Sequence, residues 1–322
     1  MSVCVALVFW YAGVGDASGQ TVSGLPLAVV FFSEGDGHAA TGICMAEMKT
    51  GLKLILDCLR ERHGFDFNGY HPAMLERRIG QRLAAVGCDD YQDYHSHLLR
   101  NEEELDALLD AITINVSRFF RDPLTFEFLA HKILPDIVQA KARRQEPSLR
   151  VWSAGCAMGE ESYSVAILIR ELLEKDTPPL NLHIFATDID PKALQGARAA
   201  VYPRSSVMNV KYGLLTKYFT AAGDGFRLNL DARALVTFSS HDMLDTKHSV
   251  PPDSIFGNFD LVLCRNLLIY FNTERQLDIF SRLYHALAPG GYLVLGEAEA
   301  PVPEYRYAFS RETDFCPIYR KR

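Results

Sequence analysis

Four places in the chain put polar side chains directly after a short apolar run, where a strand end could present them to a ligand. The first is the loop Gly155–Glu161 within "VWSAGCAMGEESYS": an apolar run, Leu149 to Trp152, leads through small residues into an amphipathic helical pattern. Small residues let a ligand approach the backbone, and a helix start offers unpaired N–H groups. The spacing is G-x-x-x-G, neither the dinucleotide nor the P-loop pattern. Glu160 and Glu161 stand where a phosphate would normally be bound, which disfavours a second anion and suits a cationic ligand. Taken alone, the stretch reads equally well as a tight strand-to-helix turn with a capping Glu. The second place is Asp188, ending "LHIFATD", suited to paired ribose hydroxyls; Asp190, just before Pro191, is free to serve as the helix cap instead. The third is Asp242 with Met243 after "LVTFSSH", placed to meet the edge and face of an adenine. The fourth is Asn266-Leu267 after "FDLVLC". Each alone reads as a turn, a cap or a core residue. Together they indicate a nucleotide-like ligand at the carboxyl edge of a parallel sheet.

Two further stretches narrow the chemistry. "INVSRFFRDP" offers Asn115, Ser117 and Arg121 as a polar set, with Phe119 and Phe120 expected in the core of an interdomain hinge. An arginine fork clamps a carboxylate bidentately; pairing of Arg121 with an acid of the chain is the lesser alternative. "LAPGGYLVLGE" places the turn Pro289-Gly290-Gly291 between a helix and a final strand. That layout resembles the late motif of class I S-adenosylmethionine-dependent methyltransferases more than a dehydrogenase. A sulfonium donor without phosphates also suits the acidic loop.

These residues need a scaffold, and the patterns supply two kinds. From Thr50 to about Ile114 the periodicity is helical, with Leu52, Ile55, Leu56 and Leu59 on one face and Leu105, Leu108, Leu109 and Ile112 on another. Between them, "MLERRIGQRLAAVG" sets Leu75, Ile79 and Leu83 against Arg77, Arg78 and Arg82, with Gly87 as a stop. Pro123 is well placed to start the helix that leads onward. From Arg150 strands and helices alternate: "LRVWSA", "LHIFATD", "LVTFSSHD", "FDLVLCRN" and "GGYLVLGE", with helices over Glu160–Glu174 and Thr273–Leu287. This pattern predicts an α/β domain with a mainly parallel sheet. Thr273 and Gln276 have capping-box spacing, and Leu277, Phe280, Tyr284 and Leu287 form the expected buried stripe. One segment, about 215–240, breaks the alternation and reads as a small antiparallel insertion around Gly223–Gly225. The expected division is therefore a helical domain over 48–115 and an α/β domain over 116–322.

Composition excludes several classes. With 322 residues, 48% of them hydrophobic, and a net charge of -7, the chain suits one large domain or two ordinary ones and argues against a general nucleic-acid binder. Seven scattered cysteines, with no C-x-x-C pair, suggest neither a zinc site nor a disulfide framework and fit a reducing, cytoplasmic setting. Residues 1–47 are expected to be a poorly structured extension: "VCVALVFWYAGVG" lacks a basic start and is too short to span a bilayer.

The motifs "LERRIGQRL", "INVSRFFRDP", "RVWSAGCAMGEESYS", "FATDIDPKAL", "FDLVLCRNLLIYF" and "LAPGGYLVLGE" occur in an order that resembles the CheR-type chemoreceptor glutamate methyltransferases, over roughly residues 50–320. The resemblance implies a Rossmann-like class I methyltransferase domain with a small antiparallel β-subdomain, preceded by a small all-α domain. It implies transfer of the methyl group of S-adenosylmethionine to receptor glutamate carboxylates, giving methyl esters and S-adenosylhomocysteine, with no metal. Asn115, Ser117, Arg121, Glu160 or Glu161, Asp188, Asp242, Met243, Asn266 and Leu267 would bind the donor. Arg121 and Tyr270 would lie closest to the transferring methyl. Arg77, Arg78 and Arg82 would dock Glu-rich receptor helices; a solvated face paired with Glu76 and other acids is the competing reading. The enzyme would act as a cytoplasmic monomer, without nucleic acid or membrane insertion. Ser117 stands where the family usually has Thr, and Asp242 where Asn is usual. The loop "HSVPPDSIFGN" is longer than is usual in the family it resembles, and residues 1–47 have no matched counterpart. The alternatives are a methyltransferase of this fold with another acceptor, or a donor-sensing module without catalysis.

Overall fold

The computed structural model describes residues 37–322 except 114, 116, 147, 175–179, 246–247 and 255, with side chains from residue 50 onward. The expectation for residues 1–36 lies outside the described residues. The first helix reaches back to Gly37, ahead of the boundary expected at 48.

Four helices open the chain: α1 (Gly37–His63), α2 (Pro72–Val86), α3 (Tyr91–Leu98) and α4 (Glu102–Thr113). Their apolar stripes meet as the sequence periodicity predicts, burying Ile55, Leu59, Leu75, Ile79, Leu105, Leu108 and Ile112 around Tyr94. Gly87 ends α2, as expected. The bridge to the second domain is α5 (Pro123–Phe128), a π-helical turn at Leu129–Ile133, and α6 (Leu134–Arg144). The wider turn sits directly before Pro135, which has no N–H to give to a regular helix.

The α/β domain runs β1 (Ser148–Ala154), α7 (Glu160–Leu173), β2 (Asn181–Asp188), α8 (Pro191–Ala199), β3 (Val201–Pro203), α9 (Tyr212–Tyr218), β4 (Phe219–Ala222), β5 (Gly225–Leu228), α10 (Leu230–Arg233), β6 (Val236–Ser240), β7 (Phe259–Cys264), α11 (Thr273–Ala286), β8 (Leu287–Leu295), β9 (Phe309–Arg311) and β10 (Ile318–Lys321). The large sheet has the order β6-β2-β1-β7-β8-β10-β9. Strands β6 to β8 pair in parallel, and β10 and β9 close the edge antiparallel. The two sheet faces carry separate buried clusters, one around Val151, Ile167 and Leu261, the other around Trp152, Val262 and Phe280. This is the Rossmann-like fold expected.

Four local readings are corrected. The small sheet has a third strand, Val201–Pro203, in the order β3-β5-β4; a three-residue strand has too little alternation to read. Helix α11 is capped by Asn272, whose side chain accepts from Arg275 N at 3.0 Å, and not by Thr273. Gln276 instead donates to the carbonyls of Leu268 and Phe271. The buried stripe of α11 is accordingly Ile279, Phe280, Leu283 and Ala286, while Leu277 and Tyr284 pack at its margin. Finally, Phe119 does not sit in a hinge between the helical and α/β domains: its ring meets Tyr202 and Phe219 edge-on and fastens the chain at this point to the small sheet.

Candidate active site

All four polar strand ends emerge at one edge of the large sheet, because β1, β2, β6 and β7 are parallel. The β1 end turns sharply. Gly155 and Cys156 both donate to the Thr187 carbonyl, at 2.8 and 2.9 Å, which binds the loop to the neighbouring strand. Gly155 has φ +73°, and a Cβ there would lie 3.0 Å from the Leu267 side chain. The positive φ and this close approach both favour glycine where the first and fourth strand ends meet.

Asp188 is held rigidly. One carboxylate oxygen accepts from Ala157 N at 2.7 Å, the other from Asp190 N at 3.0 Å. Burial raises its carboxyl above the usual range, and these N–H groups oppose the rise. Asp190 takes the cap of α8, accepting from Lys192 N and Ala193 N. The cap of α8 thus falls to Asp190, as expected. Asp190 also accepts from Asn115 Nδ2 and from Thr113 Oγ1, tying the end of the helical domain to β2.

One cleft gathers Asn115, Ser117, Arg121, Glu161, Asp188, Asp242, Met243, Asn266, Leu267 and Tyr270. Glu160 is the exception and is corrected here. Consecutive residues at a helix start point about 100° apart, so only one of the pair faces the cleft. Glu161 lines the cleft, whereas Glu160 turns toward the small sheet and accepts from Ser206 Oγ at 3.3 Å. Glu161 accepts from Ser153 Oγ at 2.8 Å and from Arg265 at 3.3 Å, while burial raises its carboxyl against those partners. Asp242 has one oxygen on Leu244 N at 2.8 Å, and its carboxyl is also raised by burial.

Among the cleft residues that were not anticipated, three bear on its chemistry and shape. Arg265, 6% exposed, donates to Asp122 Oδ2 at 2.6 Å and to the Arg121 carbonyl at 3.0 Å, besides Glu161. It therefore fixes the turn that carries Arg121. That turn is strained: Phe120 and Asp122, on either side, have φ of 51° and 59°. The "CRN" triplet contained the signal, since an arginine ending an otherwise apolar buried strand requires acidic partners. Tyr70 comes from the loop between α1 and α2, and its ring packs on Phe271 at 4.6 Å. His71 N donates to the Tyr270 carbonyl at 2.7 Å, and Asn272 N to the Gly69 carbonyl at 3.0 Å. The helical domain thus walls the cleft and supports Tyr270. His241, buried beside Trp152, is the third; burial pushes its imidazole down to about 4, so it stays neutral at physiological pH.

The arginines of α2 differ from one another. Arg77 is exposed and Arg78 half-buried. Arg82 is not on a free face: it forks onto Glu104, with Nε at 3.0 Å, and Tyr94 donates to the same carboxylate at 2.7 Å. Glu104 is 6% exposed, so this triad belongs to the packing of α2 on α3 and α4.

The cleft's donor set suits a ligand with hydroxyls, a cationic centre and a carboxylate. Three acids face it, and Arg121 supplies a guanidinium. A phosphate-bearing ligand would meet Glu161 at the start of α7. No group of His, Cys, Asp and Glu suited to a metal occurs among the described residues. The described cysteines are free thiols. No described helix is long and apolar enough to cross a membrane.

Comparison with known proteins agrees with this arrangement. Residues 50–113 match the CheR methyltransferase all-alpha domain, and residues 115–313 the CheR methyltransferase SAM-binding domain. The chain belongs to the CheR methyltransferase family. It is similar to the chemotaxis protein methyltransferase of Salmonella typhimurium, 34% identical over 76% of this chain and 82% of that protein. It is also similar to chemotaxis protein methyltransferase 2 of Vibrio cholerae, 32% identical over 76% of this chain and 83% of the relative. An uncharacterized 104.1 kDa protein of Rhodobacter capsulatus is 35% identical over 80% of this chain, which spans only 26% of that protein's length. As a CheR methyltransferase, the chain is an S-adenosylmethionine-dependent enzyme whose small antiparallel sheet and helical domain flank a Rossmann-like core.

Proposed function

We propose that this CheR methyltransferase esterifies glutamate side chains of chemotaxis receptors, releasing S-adenosylhomocysteine. The observation that carries the reading is the meeting of Arg121 and Tyr270 in one cleft with Glu161, Asp188 and the Asn266–Leu267 turn. S-adenosylmethionine, when bound, supplies an electrophilic methyl group on a sulfonium. Asp188, rigidly oriented, holds the ribose hydroxyls. Met243 and Leu267 cover the adenine, and Asp242 and Asn266 meet its polar edge. Asn115, Ser117, Arg121 and Glu161 hold the amino-acid end.

The acceptor needs no general base, because a glutamate with a pKa of about 4.3 is already ionised at neutral pH. What the protein contributes is orientation and partial removal of water from a weak nucleophile. The Tyr270 hydroxyl steers the acceptor carboxylate, and Arg121, fixed by its strained turn, keeps the reacting ends aligned. Receptor helices rich in glutamate dock on the α2 arginines, Arg77 and Arg78 foremost, with Arg82 shaping the face through Glu104. The enzyme works as a cytoplasmic monomer.

The test incubates the protein with radiolabelled S-adenosylmethionine and receptor-containing membranes. Base-labile methyl groups on the receptor are expected. Donor binding without transfer would refute receptor methylation and leave a donor-sensing module, which the Asp242 departure favours. Transfer to another acceptor would refute the receptor assignment.

A further inference from the structure

The turn from Asn266 to Tyr270 contributes three side chains to the cleft, Asn266, Leu267 and Tyr270. Asn266 has φ +57°, a left-handed conformation that asparagine adopts more readily than other non-glycine residues and that hydrogen bonds to its N–H hold in place. The group that holds it is Glu299, which comes from the turn just after β8 and does not itself line the cleft. Glu299 is 7% exposed. Its Oε2 accepts from Asn266 N at 2.9 Å and from Gly296 N at 2.7 Å, and its Oε1 accepts from Ile269 N at 3.3 Å. One carboxylate thus gathers the N–H groups at the start and middle of the turn and anchors them to the end of β8. Gly296 is part of the device: a Cβ there would lie 2.7 Å from Glu299 Oε2 and 2.8 Å from Asn266 N. Any larger residue would wedge the clamp open.

The geometry points to Glu299 as a positioning residue, a buried carboxylate clamp that sets the Asn266–Tyr270 turn in its ligand-binding shape. It rests on the reading of this cleft as the donor and acceptor site. An ionised carboxylate suits the task because it only accepts, and three donors converge on it. A glutamine in its place would turn an NH2 group toward at least one of those N–H donors.

The full-length chain is compared with Glu299→Gln and, as a second route to the same opening, Gly296→Ala. Amide hydrogen exchange is followed across the protein, and the affinity for S-adenosylhomocysteine is measured by calorimetry. In both variants exchange at Asn266 and Ile269 is expected to rise about tenfold or more, the scale of one charge-assisted hydrogen bond, while β1 and β2 keep wild-type protection. Affinity is expected to fall by about tenfold as Asn266 and Leu267 lose their places. Wild-type exchange in the turn would overturn the clamp. Loosening spread evenly over β1 and β2 would overturn it too, since that is the signature of a merely structural group. If the wild-type chain binds no S-adenosylhomocysteine, the reading of the cleft fails, and the exchange data still decide whether the clamp exists.

Discussion

Glu160 should make this protein less stable at neutral pH than at mildly acidic pH. It stands at the start of α7, 3% exposed, with Oε1 weakly satisfied by Ser206 at 3.3 Å. Oε2 is buried without a partner among the described residues. Burial pushes its carboxyl up from 4.5 to about 7, against the smaller opposing pull of its own N–H and of Ser206. The folded chain therefore holds this proton more tightly than the unfolded chain. The stabilisation is fully present below about pH 4.5 and is lost as pH rises through about 7. A separation of about 2.5 between folded and unfolded values corresponds to on the order of 3 kcal/mol. Glu160→Gln mimics the neutral acid at every pH. In urea unfolding, the variant and wild type should nearly coincide at about pH 4.5, and the variant should be more stable by on the order of 3 kcal/mol at about pH 8. Because Glu160 faces the small sheet and not the cleft, affinity for S-adenosylhomocysteine should change little. A stability difference that is the same at both pH values would refute the reasoning.

Other expectations follow from the cleft and the helical domain. Arg265→Met leaves Asp122 and Glu161 without their common partner and should destabilise by about 3–5 kcal/mol in denaturant unfolding; a loss below 1 kcal/mol would mean that the acids are satisfied otherwise. Tyr270→Phe should lower kcat about tenfold, the worth of one hydrogen bond to a carboxylate, with donor affinity unchanged; full activity would remove the hydroxyl from the mechanism. Asp242→Asn, which keeps a polar contact to the adenine edge and relieves a buried charge, should tighten S-adenosylhomocysteine binding several-fold by calorimetry; weaker binding would mean that the carboxylate meets that edge better than an amide does. Arg82→Ala should destabilise the chain by about 3 kcal/mol through the exposed cost of Glu104. Arg77→Ala should leave stability unchanged and raise the KM for receptor at low salt, and an unchanged KM would remove Arg77 from docking.

Period and punctuation determined much of this protein. Helical spacing marked the stripes of α1, α2 and α4, and alternation of strands with helices marked the five parallel strands, because each buried face has its own repeat. Since those strands are parallel, their polar ends necessarily shared an edge, and nearly every expected cleft residue is there. The motifs also carried the family. What the sequence left open was direction and distance. Adjacent Glu160 and Glu161 are chemically alike, and only the packing of α7 between the sheet and Ser206 decides which one faces the cleft. Arg82 lies in a row of arginines, yet α4 brings Glu104 beneath it. Tyr70 enters the cleft from a loop remote in sequence, held by the Tyr70–Phe271 bridge. Arg265 and Glu299 tie together turns that the chain reaches at widely separated positions. Local patterns record which face of an element is apolar; which buried charge meets which partner is a property of the assembled sheet alone.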